Sequence, residues 1–244
     1  WQLGHHHLMC GDSTKSEDVA ALMNGIKTNL MVTDPPYGVD YDANWRNEAA
    51  KKGLIGQKRF TRAIGKVKND DRADWREAWA LFAGNVAYVW HAGNKAHIVA
   101  ESLLACGFEI RTQIIWNKNN FAISRGHYHL KHEPCWYAVR SGSSSNWHGD
   151  RLQPTVWDIP KNQKSETGHS TQKPVECMFR PILNNSSEGE VVYDPFLGSG
   201  TTLIACEQSN RKGYGLEIDP GYVAVTLQRW KDFTKKEPIL IEVN

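Results

Sequence analysis

Asp34-Pro35-Pro36-Tyr37 follows the apolar run Leu30-Met31-Val32 and sets a carboxylate, two rigid prolines and an aromatic face at what reads as the end of a strand. Proline fixes φ near about −65° and donates no backbone N–H, so the Asp34 and Pro35 carbonyls are free to face a ligand as acceptors. A carboxylate and a carbonyl side by side hold both hydrogens of one amino group. The motif is a pocket for a flat molecule that carries –NH2.

A second cluster lies near the other end of the chain. Val191-Val192-Tyr193 runs into Asp194-Pro195-Phe196-Leu197-Gly198-Ser199-Gly200-Thr201-Thr202, which reads as a strand, a glycine-rich turn and a helix start. Gly198 and Gly200 let the backbone approach a ligand closely. The next strand delivers Glu217, 19 residues after Gly198, a distance that suits a carboxylate on a ribose diol. A P-loop would need Gly-Lys-Ser/Thr, and no lysine lies between Asp194 and Arg211. The dinucleotide fingerprint would need a third glycine where Leu203 stands. A nucleoside without phosphates fits this turn better.

Together these motifs resemble those of the S-adenosylmethionine-dependent amino-methyltransferases of DNA, in the β-class order where the catalytic motif precedes the cofactor motif. Asp34 to Tyr37 resembles the catalytic motif, Asp194 to Thr202 the cofactor loop, and Gly215-Leu216-Glu217-Ile218-Asp219 the ribose-binding strand end. His169-Ser170-Thr171-Gln172-Lys173-Pro174 resembles the helix-opening motif before that loop. Leu8-Met9-Cys10-Gly11-Asp12-Ser13 resembles the opening strand, whose acid lies by the cofactor adenine. The opening also resembles methylase regions that follow a ParB-like domain in longer proteins, and the absence of an initiating Met is compatible with an excised domain.

The resemblance implies an α/β, Rossmann-like, seven-stranded fold with a mostly parallel sheet, one antiparallel strand and a circularly permuted motif order. It implies transfer of a methyl group from S-adenosylmethionine to the exocyclic N6 of an adenine flipped out of double-stranded DNA. That step is an in-line displacement, in which orientation supplies much of the rate. By resemblance Asp34, Pro35, Pro36 and Tyr37 are catalytic: Asp34 and the Pro35 carbonyl accept both amino hydrogens and stabilise the positive charge that develops on nitrogen. Tyr37 would stack on the flipped base. Cofactor binding falls to Asp12, Asp34, Thr171, Lys173, Asp194, Phe196, Gly198, Gly200, Thr201, Thr202 and Glu217. Within that set Phe196 would face the sulfonium and Lys173 would pair with the cofactor carboxylate. Thr171 would cap a helix whose first turn holds Pro174. Asp-Pro-Pro-Tyr favours adenine, because the cytosine-N4 members more often begin the motif with serine. Cytosine N4 is the nearest alternative. Methylation of RNA or of a protein amide, and a catalytically silent DNA-binding module, lie farther off.

Of the 244 residues 40% are hydrophobic, enough for one domain with a full core. The net charge is only +2, so contact with DNA must come from local distribution. Residues 41–70 carry eight basic against three acidic side chains, among them Arg46, Lys58, Arg59 and Arg62, beside the Asp34 motif. Such a loop suits phosphate contacts. Lys118, Arg125, His127 and Lys131 would line the DNA groove. The five cysteines form no C-x-x-C pair and read as reduced, buried thiols. Pro134-Cys135 occurs, as a cytosine-C5 nucleophile would require, but inside a strand-like run, so Cys135 is read as structural. The ten histidines show no metal-ligand spacing. No membrane span or signal segment is visible, so a soluble, cytoplasmic protein of bacterial, prophage or phage origin is expected, with no membrane partner. The resemblance is compatible with a homodimer and with a restriction-modification setting.

The elements that must bring Asp34 and Gly198 together alternate. Strand-like runs at 6–10, 29–33, 86–90, 109–116, 134–139, 191–193 and 213–216 intersperse with helix-like runs at 16–24, 72–82, 95–106, 175–183, 201–208 and 221–233. That pattern predicts a mostly parallel α/β sheet with ligands at the carboxyl ends of its strands, and the resemblance implies 134–139 as its antiparallel member. Two stretches break the pattern. Residues 38–71 form the basic DNA-facing loop, and 141–168 occupy the target-recognition position by resemblance, as insertions in one domain spanning 1–244.

Overall fold

The computed structural model describes residues 1–40, 51, 68–122, 127–160 and 172–241. In chain order the elements are β1 (Gln2–Leu3), β2 (His6–Cys10), α1 (Ser16–Met23), β3 (Leu30–Thr33), α2 (Arg76–Leu81), β4 (Val86–Trp90) and α3 (Ala96–Ala105). The chain continues through β5 (Phe108–Ala122), β6 (Leu130–Arg140), β7 (Val156–Asp158), α4 (Val175–Asn185), β8 (Val191–Asp194), α5 (Thr201–Gln208), β9 (Lys212–Glu217) and α6 (Pro220–Thr234).

Strands β3 and β4 are unbroken apolar runs because the sheet is covered on both faces. Successive side chains go to opposite layers. Met31, Ala87 and Val89 pack with Leu22, Trp79, Val99 and Leu103 on the side of α1, α2 and α3. Leu30, Val32, Val86, Tyr88 and Trp90 pack with Cys177, Met178 and Ile182 on the side of α4, and α5 and α6 extend that layer over Leu3 and Leu8.

The sheet order is β1-β2-β9-β8-β3-β4-β6-β5-β7. The inner seven strands, β2 through β5 in that order, form the mostly parallel sheet expected, with β6 antiparallel to both neighbours. The short strands β1 and β7 add an edge on each side and bring the total to nine. The chain leaves β3 toward β4 and leaves β8 toward β9, in opposite directions. The crevice at the carboxyl ends of β3 and β8 is therefore the topological switch point.

Strands β5 and β6 are longer than the runs expected at 109–116 and 134–139. They continue past the end of β4 as a two-stranded ribbon, paired out to Ala122 and Leu130. The 141–160 stretch folds back the other way. Asn185 Nδ2 donates to Ser145 O at 2.7 Å and His148 N donates to Asn184 O at 2.7 Å, which fixes 145–148 at the end of α4 farthest from Asp34. From there β7 climbs parallel to β5 and buries Trp157.

At the same far pole Arg140, at the end of β6, ties two loops, 82–85 and 106–107. Its guanidinium donates to Gly84 O at 3.0 Å, Cys106 O at 2.9 Å and Phe82 O at 2.7 Å, and lies 4.4 Å over the Phe108 ring. A methionine there would fill similar volume but leave those carbonyls without their charged donor. Arg140→Met should lower unfolding stability by roughly 2–4 kcal/mol in urea titration, and an unchanged midpoint would show that water replaces the guanidinium at no cost.

Candidate active site

Parallel pairing delivers the chemistry-bearing residues to one edge. Reading across the sheet, β2 ends at Cys10 beside Glu217 of β9, and β8 ends at Asp194, followed by the glycine-rich turn. Next come β3, followed by Asp34, and β4, followed by His91. The antiparallel β6 enters this edge at Glu133, and β5 passes it at Trp116 to Lys118. Asp34 and Gly198 thus leave neighbouring strands, as the sequence predicts.

The Asp34 turn is held from behind by residues the sequence reading missed. Asp70 Oδ1 accepts from the backbone N–H of Tyr37 at 3.1 Å and of Gly38 at 3.0 Å, and Trp75 Nε1 donates to Pro36 O at 3.0 Å. Gly38 sits at φ +68°, and a Cβ there would meet the Arg72 carbonyl carbon at 2.6 Å. Pro35 is buried. Asp70 had counted only as one acid within a basic stretch, so nothing in the sequence marked it as the support of the turn.

In front of the turn lies a charged cluster. Lys173 Nζ is 2.6 Å from Glu133 Oε2, 3.1 Å from Tyr37 Oη and 3.4 Å from Asp34 Oδ1, and Lys118 Nζ is 2.5 Å from Glu133 Oε1. Tyr37 Oη donates to Asp34 Oδ1 at 2.6 Å. The Lys173 ammonium also lies 4.4 Å from the Trp90 ring centroid and 5.4 Å from that of Trp116. Burial alone would raise Glu133, but the two ammonium groups overcome it and hold the carboxyl at about 2. Burial would lower Lys173, yet Asp34 and Glu133 keep it protonated well into the alkaline range. Asp34 is pushed up by burial against the opposing pull of Lys173.

Two expectations are corrected here. Lys173, expected at a cofactor carboxylate, has a side chain only 3% exposed and paired with Glu133 and Asp34, because β6 brings a carboxylate to this edge. Lys118, expected on the DNA surface, is 5% exposed and closes the same cluster, since its side chain points down the ribbon toward Glu133. Glu133, absent from the sequence-derived set, is the centre of both pairs. Its only signal was a carboxylate directly preceding a proline in a strand-like run.

On the other side of β3 the glycine-rich turn is built as expected but with different roles. Gly198 has φ +56° and open space where a Cβ would stand, and its N–H donates to Glu217 Oε2 at 2.8 Å. Gly200 has φ +79°, and a Cβ would meet Thr226 Cγ2 at 2.6 Å, so α6 forces that glycine from behind. Glu217 also accepts from Asp219 N at 2.8 Å through its other oxygen. Asp12 lies next to this strand end, its Oδ1 closing a turn with Thr14 N at 2.9 Å. Asp12, Glu217 and Gly198 therefore sit on adjacent strand ends around open ground at Gly198, an arrangement that can hold a nucleoside.

Asp194, Thr201 and Thr202 do not line that ground. Asp194 is 2% exposed and accepts from Thr33 Oγ1 at 2.7 Å, Thr202 Oγ1 at 2.5 Å and Phe196 N at 3.0 Å, so it latches β3, the turn and α5 to one another. Thr201 Oγ1 accepts from Arg229 Nη1 at 3.0 Å, inside the protein. Phe196, expected at a sulfonium, packs edge-on against Trp75 at 4.7 Å between centroids and remains half-buried.

The α4 helix opens at Val175 with Pro174 as its N-cap, not with Thr171, which lies outside the described residues. Arg46, Lys58, Arg59, Arg62 and Arg125 also lie outside them. His127 and Lys131 are exposed on the ribbon. Cys135, Cys177 and Cys206 are buried, Cys106 is partly covered and Cys10 is exposed, against the expectation of five buried thiols.

Residues 28–228 match the N6/N4 family of DNA methylases. The chain is 34% identical over 146 residues to the type II methyltransferase M.Cfr9I of Citrobacter freundii, covering 54% of this chain and 47% of that protein. It is 29% identical over 154 residues to the DNA adenine methyltransferase YhdJ of Escherichia coli (strain K12), covering 50% of this chain and 52% of that one. The alignments therefore span about half the length of these relatives. Among solved structures, the M1.HpyAVI–SAM complex superimposes with a TM-score of 0.64 over 91% of this chain and 98% of that chain, at 20% identity, a likeness of fold.

The Asp194 latch has a pH signature. Burial raises its carboxyl to about 6 against the hydrogen bonds of Thr202, Thr33 and Phe196 N. A folded-state value above the unfolded one means stability that is full below pH ~4 and falls as pH rises through about 6, by roughly 3 kcal/mol at most. Asp194→Asn keeps an acceptor for Thr33 and Phe196 N but cannot titrate, so its stability should not share that fall. Parallel stability curves for the two proteins between pH 4 and 7 would show that Asp194 is ionised throughout.

Proposed function

The chain belongs to the N6/N4 family of DNA methylases, and on that premise we propose that it moves the methyl group of S-adenosylmethionine to the exocyclic N6 of an adenine flipped out of duplex DNA. The observation that carries the reading is the placement of Asp34 and of the Gly198–Glu217 pair on neighbouring strand ends at the switch point. A methyl donor and an amino group held at those two places are adjacent, and adjacency with alignment is what a displacement requires.

Bound there, S-adenosylmethionine supplies an electrophilic methyl group on a positively charged sulfur. Open ground at Gly198 fits its nucleoside, with the free lone pairs of Glu217 facing the ribose diol and Asp12 at the adjacent strand end near the adenine. Asp34, 26% exposed, is the group at the mouth able to accept an amino hydrogen. Since the Pro36 carbonyl is already taken by Trp75, the Pro35 carbonyl is the neighbour suited to the second. The Tyr37 ring, fixed through its hydroxyl to Asp34 and Lys173, offers a face against which a flipped base stacks. Positive charge developing on the nitrogen is then stabilised by Asp34 in a partly dewatered site. Adenine is favoured over cytosine because aspartate, rather than serine, opens the motif.

The test is incubation of the chain with methyl-labelled S-adenosylmethionine and mixed-sequence duplex DNA, followed by digestion to nucleosides and chromatography. Label is expected in N6-methyldeoxyadenosine, and Asp34→Ala should reduce it on the order of 10³-fold while the fold is retained. Label in N4-methyldeoxycytidine would overturn the choice of base. Equal turnover by Asp34→Ala would overturn the role given to the carboxylate.

A further inference from the structure

Strand β4 stops at Trp90, which pairs with Cys135, and Cys135 pairs in turn with Ile114. From Ile114 β5 runs on to Ala122, but a register shift sets five of its residues against two of β6 between Asn117 and Ala122, so at ~3.3 Å per residue the β6 stretch from Cys135 to Leu130 carries the ribbon on the order of 15 Å past the end of β4. Its root is the Lys118–Glu133–Lys173 cluster, in direct contact with Tyr37. Beyond the root the ribbon joins none of the core clusters formed among the described residues. Phe121 is 51% exposed, Leu130 57% and Tyr128 90%, and Asn120, His127 and Lys131 are exposed beside them.

Three features select one partner for this surface. Between Asn117 and His132 the sequence holds no aspartate or glutamate, and the exposed described residues there include Lys131, His127, His129, Asn119 and Asn120. A surface without a single carboxylate is compatible with a polyanion and gives a protein partner's basic groups nothing to pair with. A two-stranded antiparallel ribbon also has the width that B-DNA's major groove admits, and asparagine carries the donor–acceptor pair that matches adenine there. Finally, the ribbon continues the edge at which Asp34 and Tyr37 open. The 145–153 part of the stretch expected to recognise the target is by contrast tied to Asn184 and Asn185, at the end of α4 away from Asp34.

We infer that the β5–β6 ribbon, not the 141–155 segment, is the arm with which this chain reads double-stranded DNA, lying in the groove beside the nucleotide presented to Asp34. The inference rests on the proposed DNA substrate. In it Lys131 contacts backbone phosphate, Asn120 reads a base edge, and the exposed Phe121 and Tyr128 offer apolar faces to thymine methyl groups or to an opened base step.

The test compares the full chain with Lys131→Ala, Asn120→Ala and, at the opposite pole, Arg151→Ala. Duplex affinity is measured by fluorescence anisotropy over a range of salt, sequence preference by mapping the methylated sites in mixed-sequence DNA, and S-adenosylmethionine binding by calorimetry. Lys131→Ala is expected to lower the slope of log affinity against log salt by about 1. Asn120→Ala should relax preference at one base position by roughly tenfold. Arg151→Ala should change neither, and all three should bind S-adenosylmethionine as the unaltered chain does. Ribbon variants with unaltered slope and preference, or a larger loss in Arg151→Ala, would overturn the inference while leaving the DNA reading standing. An unaltered chain that binds S-adenosylmethionine but no duplex at any salt would overturn the DNA reading, and the ribbon's assignment with it.

Discussion

A buried lysine fixes the geometry of the catalytic edge. An ammonium group taken from water costs several kcal/mol unless it is closely compensated, at roughly that scale per ion, and Lys173 is compensated by carboxylates from two different strand ends, Asp34 and Glu133. Glu133 in turn needs Lys118, because one lysine shared with Asp34 would leave it short of positive charge. The result is two cations and two anions whose sum is zero. It joins the turn after β3, the first residues of β6, the last buried residue of β5 and the approach to α4. None of these segments can shift by an ångström without stranding a charge, so the cluster places the Tyr37 ring, the root of the ribbon and the start of α4 together.

Across β3 the polar connection works on the opposite principle. Asp194 has no cation beside it; two threonine hydroxyls and a backbone N–H satisfy it, and its carboxyl rises toward neutrality. The glycine-rich turn is then fixed a second time from α6, where Thr226 Oγ1 donates to Gly198 O at 2.9 Å and Arg229 Nη1 donates to Ser199 O at 3.1 Å. The polar backbone atoms of Gly198 are thereby engaged, its O by Thr226 and its N–H by Glu217, and what is left over is the open space at Gly198 and the further lone pairs of Glu217. Structural and ligand-binding duties are divided between adjacent residues of one motif.

That division explains which parts of the site were legible in the sequence. Periodicity located every inner strand, because burial on both faces leaves long apolar runs, and the glycine at 200 could be read as obligatory before its reason, contact with Thr226, was known. Motif resemblance placed Asp34, Gly198 and Glu217 on one edge. It did not foresee the internal contacts that Lys173, Asp194, Thr201 and Thr202 make, since a motif records that a residue type is required at a position and not which neighbours its side chain meets. Glu133 and Asp70 were illegible for a further reason. Each acts on residues far away in the sequence, Glu133 on Tyr37 and Lys173, Asp70 on Tyr37 and Gly38, and a pairing of that range has no local pattern. The overhang of the ribbon was hidden because its outer residues, exposed polar side chains mixed with Phe121, Tyr128 and Leu130, show no strand-like alternation.

The neutrality of the cluster bears on the chemistry proposed for it. A free carboxylate at the mouth would attract cations and invite water; one tied to Tyr37 Oη at 2.6 Å and Lys173 at 3.4 Å has its first oxygen already engaged and presents the remainder of its acceptor capacity to an incoming neutral amine. Tying the hydroxyl also removes a rotational freedom from the ring, so stacking does not have to fix its plane at the moment of reaction. Rigid acceptor and rigid face lie on one side of the nucleophile, and the donor's ground at Gly198 lies on the neighbouring strand. An in-line displacement needs little else from the protein than that these three bearings be set in advance, and here they are set by charges paired with one another.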